Sequence, residues 1–343
     1  MRNLITKRLA ALAGAAALSL ALLAGCSPVD KENSGAASSE SKSSAPASPV
    51  TVQDAAGKDV VIKEAPQRVV ILPVWEGEMA LDMIDADRIA ALSSYMDSTA
   101  LTACADKAKA VSARVNSEAE AILGQAPDLV LLDTFNDADG SLAKALTDAK
   151  VTVLTLSSPI TFADIRDRLS TVAKALYAEE KGQALIDEMD KRLNDVKAKV
   201  EGVEAPLGVM YYEDYYSADG SSAGMLCAYG KESPFNAIAE AAGAVNVCTA
   251  ANYSAVSKET VVNDWKPGLL VVPGIVYDAN FQPAEDGGAA VTEAIKKDSV
   301  LQSLPAVQNG RIIALTEKYR GSTSHYISYA VEELAKACYP DRF

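Results

Sequence analysis

Aromatic side chains gather where strand-like runs of this sequence end, and their placement suggests the chemistry the chain can do. Trp75 follows the run Arg68–Leu72, Tyr95 lies further along, and Phe135 comes just after Leu131-Leu132-Asp133. Tyr211, Tyr212, Tyr215 and Tyr216 crowd another such run, with Tyr253, Tyr277 and Tyr319 beyond it. Aromatic faces hold large flat or hydrophobic guests, and phenol hydroxyls add hydrogen bonds. The competing reading is core packing, strongest for Tyr211 inside its strand.

Catalysis is harder to assemble. The chain has one histidine, His325, and no Gly-x-Ser-x-Gly elbow. A Ser-His-Asp triad, a His-rich zinc or manganese site and a metal-dependent hydrolase all lack their ligands or bases. Recognition without reaction is the expectation, with no catalytic residue, no metal site and no resident cofactor. His325 opens the last helical pattern and reads as a surface or capping residue.

The N-terminus points outside the cytoplasm. Arg2, Lys7 and Arg8 precede an apolar run that stops at Leu23-Ala24-Gly25-Cys26. A positive start, a short apolar core and small residues before a cleavage point make a secretory signal over residues 1–25; a retained membrane helix is the alternative. Leu-Ala-Gly-Cys resembles the bacterial lipoprotein box, which implies lipidation of Cys26 and a membrane-surface anchor. Residues 26–49, rich in Ser, Ala, Lys and Glu, read as a disordered tether. The formal charge is −14, and removing the three basic residues of the signal makes it −17. So acidic a surface argues against nucleic acid. Cys104, Cys227, Cys248 and Cys338 remain, an even number that permits disulfides in an exported protein without fixing their pairing.

Strand and helix patterns alternate from residue 50 onward, which predicts parallel-type α/β layering. Asp128–Leu132, Val151–Leu154, Leu207–Tyr211, Leu269–Val272 and Arg311–Leu315 read as further strands. Glu76–Ile84, Gly140–Ala149, Pro234–Ala242 and Thr323–Cys338 read as helices. The segment 161–200 has no proline and keeps helical spacing. It predicts one helix of more than about 50 Å, a strut between an α/β lobe at 50–160 and a second at 201–343.

Over nearly all of Val50–Phe343 the sequence resembles a known family, the extracytoplasmic binding proteins of ABC importers for iron chelates, haem and vitamin B12. Asp54-Ala55-Ala56-Gly57, Ala65–Val70, Glu78 and Asp87-Arg88-Ile89 carry its opening. Glu118–Ile122 followed by Pro127–Val130 matches a second element. Gly230–Ser233, Asn236, Glu240, Gly243, Asn246, Val256–Glu259 and Pro267–Leu270 match the second half. The resemblance implies two Rossmann-like lobes joined by a single long helix (the helical-backbone, class III arrangement), with a ligand cleft between them. It implies a monomer outside the membrane, lipid-anchored, that captures an iron chelate (siderophore or haem) and delivers it to an ABC permease dimer. A corrinoid is the alternative ligand. The guest itself can carry iron or cobalt.

Residue by residue, the resemblance places Tyr95, Tyr253 and Tyr319 at ligand-facing positions, and Arg114 and Arg320 on cleft-facing loops that suit a carboxylate. It makes Glu120 and Glu259 the permease-docking pair, at matching places in the two lobes. It also brings Cys248 and Cys338 near a disulfide found in a relative.

Overall fold

In the computed structural model, which describes residues 48–216, 222–277 and 283–343, the β-branched runs form the centres of two sheets. Of residues 215, 216 and 222–224 the backbone alone is described. Cys26 and the signal and tether segments lie outside the described residues, up to residue 47, as does the side chain of Tyr215. Among the described residues no helix is long and apolar enough to cross a membrane.

Val50–Gln53 (β1) and Asp59–Ile62 (β2) pair as an antiparallel hairpin. The first lobe then alternates β3 Val69–Ile71, α1 Val74–Met83, β4 Ile89–Ser93, α2 Ala105–Ala108, β5 Arg114–Val115, α3 Ala119–Leu123, β6 Leu129–Asp133, α4 Ser141–Asp148 and β7 Thr152–Leu156. Its five strands lie in the order β5-β4-β3-β6-β7, every pair parallel. Parallel strands are covered on both faces, which is why Val69, Val70 and Ile71 are all fully buried.

The predicted strut is corrected. Residues 161–200 form two helices, α5 Phe162–Ala175 and α6 Glu179–Val200, folded back on each other. Arg166 of α5 holds Asp190 of α6 at 2.8 Å, and a Cβ on Gly182 would overlap that of Ala173. The break falls at Tyr177, which takes a left-handed backbone at φ 56°. Its single hydroxyl proton is shared between the carbonyls of Ser48 and Ile62, at 3.0 and 2.9 Å, pinning the turn beside β1 and β2. Tertiary anchoring overrides a helical pattern that contains no proline. The 22 residues of α6 span about 33 Å at 1.5 Å per residue. They run from α1 and α5 to the second lobe, so α6 alone is the connecting rod.

The second lobe contains β8 Gly208–Tyr216, β9 Ser222–Tyr229, α7 Pro234–Ala241, β10 Val245–Asn246, β11 Tyr253–Ala255, α8 Lys258–Thr260, β12 Leu269–Val272, β13 Ile275–Tyr277, β14 Pro283–Glu285, α9 Ala289–Lys297, α10 Pro305–Gln308, β15 Ile312–Ala314, α11 Glu317–Arg320 and α12 Ile327–Cys338. Its sheet is mixed: β10, β12 and β15 run parallel to β8, whereas β9 pairs antiparallel with both β8 and β11. The first part of β8 pairs with β12 and its outer part with β9. The C-terminal end of β8 therefore leaves the parallel frame as a hairpin, and β13 and β14 make a second.

One apolar cluster runs through both lobes. Val69 and Ile71 of the first sheet, Leu169 of α5, Met189 of α6, Val209 of the second sheet and Leu334 of α12 belong to it. Met210, Tyr212, Cys248, Leu270 and Val272 pack on the other face of the second sheet.

Candidate functional site

Parallel strands direct their C-terminal ends, and the loops that follow, toward one edge, where α/β folds bind ligands. In the first lobe that edge is held by Asp133, the last residue of β6. Its carboxylate accepts from Trp75 Nε1 at 3.1 Å, Ser158 Oγ at 2.9 Å and the amides of Phe135 and Asn136 at 3.1 and 2.8 Å. Trp75 is thereby locked in the core, 4% exposed, as a wall support and not a presented face. Phe135 and Tyr95, at the ends of β6 and β4, project to solvent at 87% and 61% exposure.

Arg114 is engaged within its own lobe. Its Nε and Nη2 reach Asp97 at 3.0 and 2.6 Å, and the remaining donors reach the carbonyls of Ala108, Val111 and Ala113. All five N–H donors are used, so the expected carboxylate clamp has nothing left to offer. Behind Trp75, Glu76 is wholly buried, and among the described residues neither carboxyl oxygen has a hydrogen-bond partner. Burial, reinforced by Asp133, pushes its carboxyl well above the ordinary range.

The matching edge of the second lobe is charged. A cavity of about 210 Å3 opens at the ends of β8 and β12, lined by Tyr211, Glu213, Tyr229, Tyr277, Glu317 and Arg320 among others. Arg320 lies with its guanidinium 4.6 Å from the Tyr211 ring centre and bonds Glu317 through Nε at 3.1 Å. Tyr211 packs edge-on against Tyr229, which in turn meets Tyr253 at 4.8 Å between ring centres. Tyr277 and Tyr253 are the exposed members, at 36% and 38%. Burial, then the charges of Glu317 and Glu213, raises the Tyr277 phenol; Tyr95 from the first lobe adds to the effect. A space of about 400 Å3 separates Ser94–Ala100 of the first lobe from β14 of the second.

Two expected residues sit elsewhere. Tyr212, next to Tyr211 on β8, faces the opposite side of the sheet and is 1% exposed in its core, as the two-residue period of a strand requires. Tyr319 stacks on Tyr329 at 4.8 Å, on the side facing α12. Sequence reasoning missed Glu213, Glu317 and Tyr229; the signal was the run Tyr-Tyr-Glu-Asp-Tyr-Tyr at 211–216, acids placed at a strand end among aromatics.

His325 corrects the surface reading. It is 8% exposed, and its Nε2 lies 3.0 Å from Asp82 of α1. Glu78, one helical turn before Asp82, accepts from Thr102 Oγ1 at 2.8 Å, Ala103 N at 2.8 Å and Ser324 Oγ of the other lobe at 2.6 Å. Burial opposes the Asp82 charge, but hydrogen bonds from His325 and Lys107 hold its carboxyl below the ordinary range. These contacts stitch the lobes together beside α6. Cys248 and Cys338 are both free and buried, in separate cores on the two faces of the second sheet. The sheet lies between them, so that disulfide is corrected as well. Glu120 and Glu259 are both exposed in the first turns of α3 and α8.

Comparison with known proteins fits this geometry. A family model described as periplasmic binding protein matches residues 78–319. The uncharacterized ABC transporter substrate-binding lipoprotein YvrC of Bacillus subtilis is 24% identical, over 98% of this chain and 99% of its own. A cobalamin-binding protein of Halobacterium salinarum is 22% identical over 84% of this chain and 74% of its own. The periplasmic heme-binding protein RhuT from Roseiflexus sp. RS-1 superposes with a TM-score of 0.64 at 19% identity, covering 81% of this chain and 99% of that structure, a likeness of fold.

Proposed function

Because this chain belongs to the periplasmic binding protein family, we propose that it holds a bulky chelate between its lobes and passes it to an ABC permease dimer. It is a binding protein, not an enzyme. The observation that carries the ligand reading is the exposed aromatic side chains at the cleft edges of both lobes, Tyr95 and Phe135 of the first and Tyr253 and Tyr277 of the second. Such walls suit an iron chelate, a siderophore or haem, with a corrinoid as the second reading.

The engaged arginines refine the choice. Arg114 has no donor to give a carboxylate, and Arg320 is already paired with Glu317. Guests that present amide or hydroxamate groups suit this lining better than haem propionates do. Quenching of tyrosine and tryptophan fluorescence by haem, cobalamin, ferric citrate and a ferric trihydroxamate tests the reading, with a Soret band as a direct sign of haem. Tight binding of a sugar or amino acid, with silence across that panel, would overturn it.

Delivery rests on Glu120 and Glu259, two exposed anions that set the orientation and rate of docking. Reversing both, E120K with E259K, should leave ligand affinity and melting temperature unchanged while abolishing uptake. Intact uptake would remove them from the docking surface. Acylation of Cys26 would keep the protein at the outer face of the membrane, and it acts there as a monomer; labelling with a radioactive fatty acid, lost in C26S, checks the anchor.

A further inference from the structure

The contacts that stitch the lobes together converge on two carboxyls one helical turn apart on α1. Glu78 and Asp82 share a helix face, since residues four apart lie one above the other. Both are met by residues 322–326, the segment that leads from α11 into α12. Ser324 Oγ donates to Glu78 Oε2 at 2.6 Å, and His325 Nε2 stands 3.0 Å from Asp82 Oδ2. The Asp82 carboxyl is held below the ordinary range and is therefore charged. A carboxylate only accepts, so the imidazole nitrogen facing it carries the proton. From the first lobe, Thr102 and Ala103 complete Glu78, and Lys107 pairs with Asp82. Cys104 Sγ lies 3.7 Å from the Tyr326 hydroxyl. Burial and the nearby acids push its thiol up to about 12, and burial raises the Tyr326 phenol, so both stay neutral.

A second observation does not depend on those bonds. Thr323 takes a left-handed backbone at φ 54°. A β-branched residue disfavours that region, and such strain persists only where the surroundings enforce it. The kink comes immediately before Ser324 and His325, both buried against α1. The Ser324 hydroxyl also accepts from the Tyr326 amide at 3.2 Å and lies 3.2 Å from that of Ser322. Behind the segment, α12 packs along α6, where Arg192 meets Glu332 at 3.3 Å and covers the Tyr329 ring at 3.6 Å. The rod and the apolar cluster keep the lobes together, but apolar contact carries no directional preference. Hydrogen bonds do, since they weaken steeply with distance and angle. A buried polar contact gains little net stability against its desolvation. What it adds here is geometry.

We propose that residues 322–326 are a strained latch. By gripping Glu78 and Asp82 they fix the spacing of the lobes, and the cleft opens by parting at this seam while α6 and the strand cores stay folded. Glu78, Asp82, Ser324 and His325 are positioning residues in this device, which works the same way whichever guest the cleft takes.

His325 is the chain's only histidine, so its ring gives the sole imidazole signals in the NMR spectrum of the whole protein, labelled with 15N-histidine and purified without a histidine tag. Exchange of the Nε2 proton with water reports the seam. Amide hydrogen exchange of β3 and β12, followed by mass spectrometry, reports the cores. S324A removes one donor between the lobes and leaves Glu78 its bonds from Thr102 and Ala103. Exchange of the ring proton should then rise roughly tenfold, the scale of one net hydrogen bond, with β3 and β12 unchanged. T323G takes the strain out of the closed latch and should slow the ring proton by a similar factor. An unchanged ring-proton rate in S324A would overturn the latch, and so would a rise matched in β3 and β12. Should S324A fail to fold, T323G decides alone: slower exchange supports the latch, and exchange equal to or faster than the parent's overturns it.

Discussion

The two lobes share a layered plan but finish their cleft edges differently. At the cleft edge of the first lobe, Asp133 accepts four hydrogen bonds and Arg114 gives all of its own. At the same edge of the second, the buried Tyr211 hydroxyl has no hydrogen-bond partner among the described residues, and Glu213 and Glu317 line a cavity. Strand pairing explains part of the contrast. The first sheet is purely parallel, whereas in the second β8 continues past the parallel frame to pair with β9, and β13 and β14 form a separate hairpin. The first lobe's edge is closed by its own hydrogen bonds, whereas the second keeps an open cavity at its edge.

Substitutions can break or sharpen that contrast. The largest effect is expected from G230A. A Cβ there would overlap the carbonyl of Ala250, and backbone cannot give way as a side-chain tip does. We expect a loss on the order of 3 kcal/mol in chemical denaturation. Loss of structure in the second lobe alone would show that the lobes are energetically separate. Next comes D133A, which strands Trp75 Nε1, Ser158 and two amides, at about 2–3 kcal/mol. It should lower stability in chemical denaturation; an unchanged denaturation midpoint would show that these four bonds contribute nothing net.

Acid should act on the seam. Asp82 has a depressed carboxyl in the folded state, so its contribution is complete above the ordinary value of 3.8 and is lost as pH falls through that value and below. D82N should be less stable than the parent near neutrality and should show a shallower fall in melting temperature on acidification. A parallel fall would place the acid-sensitive group elsewhere. The smallest change is expected from E76Q, and it is a gain. The raised Glu76 carboxyl binds protons that the unfolded chain has released, so stability drops as pH rises above 4.5. The amide should add a few degrees of melting temperature at neutral pH and flatten that decline.

The central strands and most helices were legible because short β-branched runs and helical spacing are local signals. The turn at Tyr177 was not, since the bonds that hold it reach back to Ser48 and Ile62. Arg114 looked available because its partner, Asp97, is 17 residues earlier and met only through the fold. Tyr95, Phe135 and Tyr277 were readable as strand-end aromatics, and they are exposed. Tyr212 belonged to the same pattern, but facing is decided by register, a difference of one residue.

The apolar cluster that passes from Val69 through Met189 to Leu334 has a consequence for how such a protein can be taken apart. Neither half owns a complete interior, so a truncation at residue 200 should yield two insoluble fragments and not two working modules. What can be exchanged between relatives is the fringe of hairpins and turns, while the body must be inherited whole.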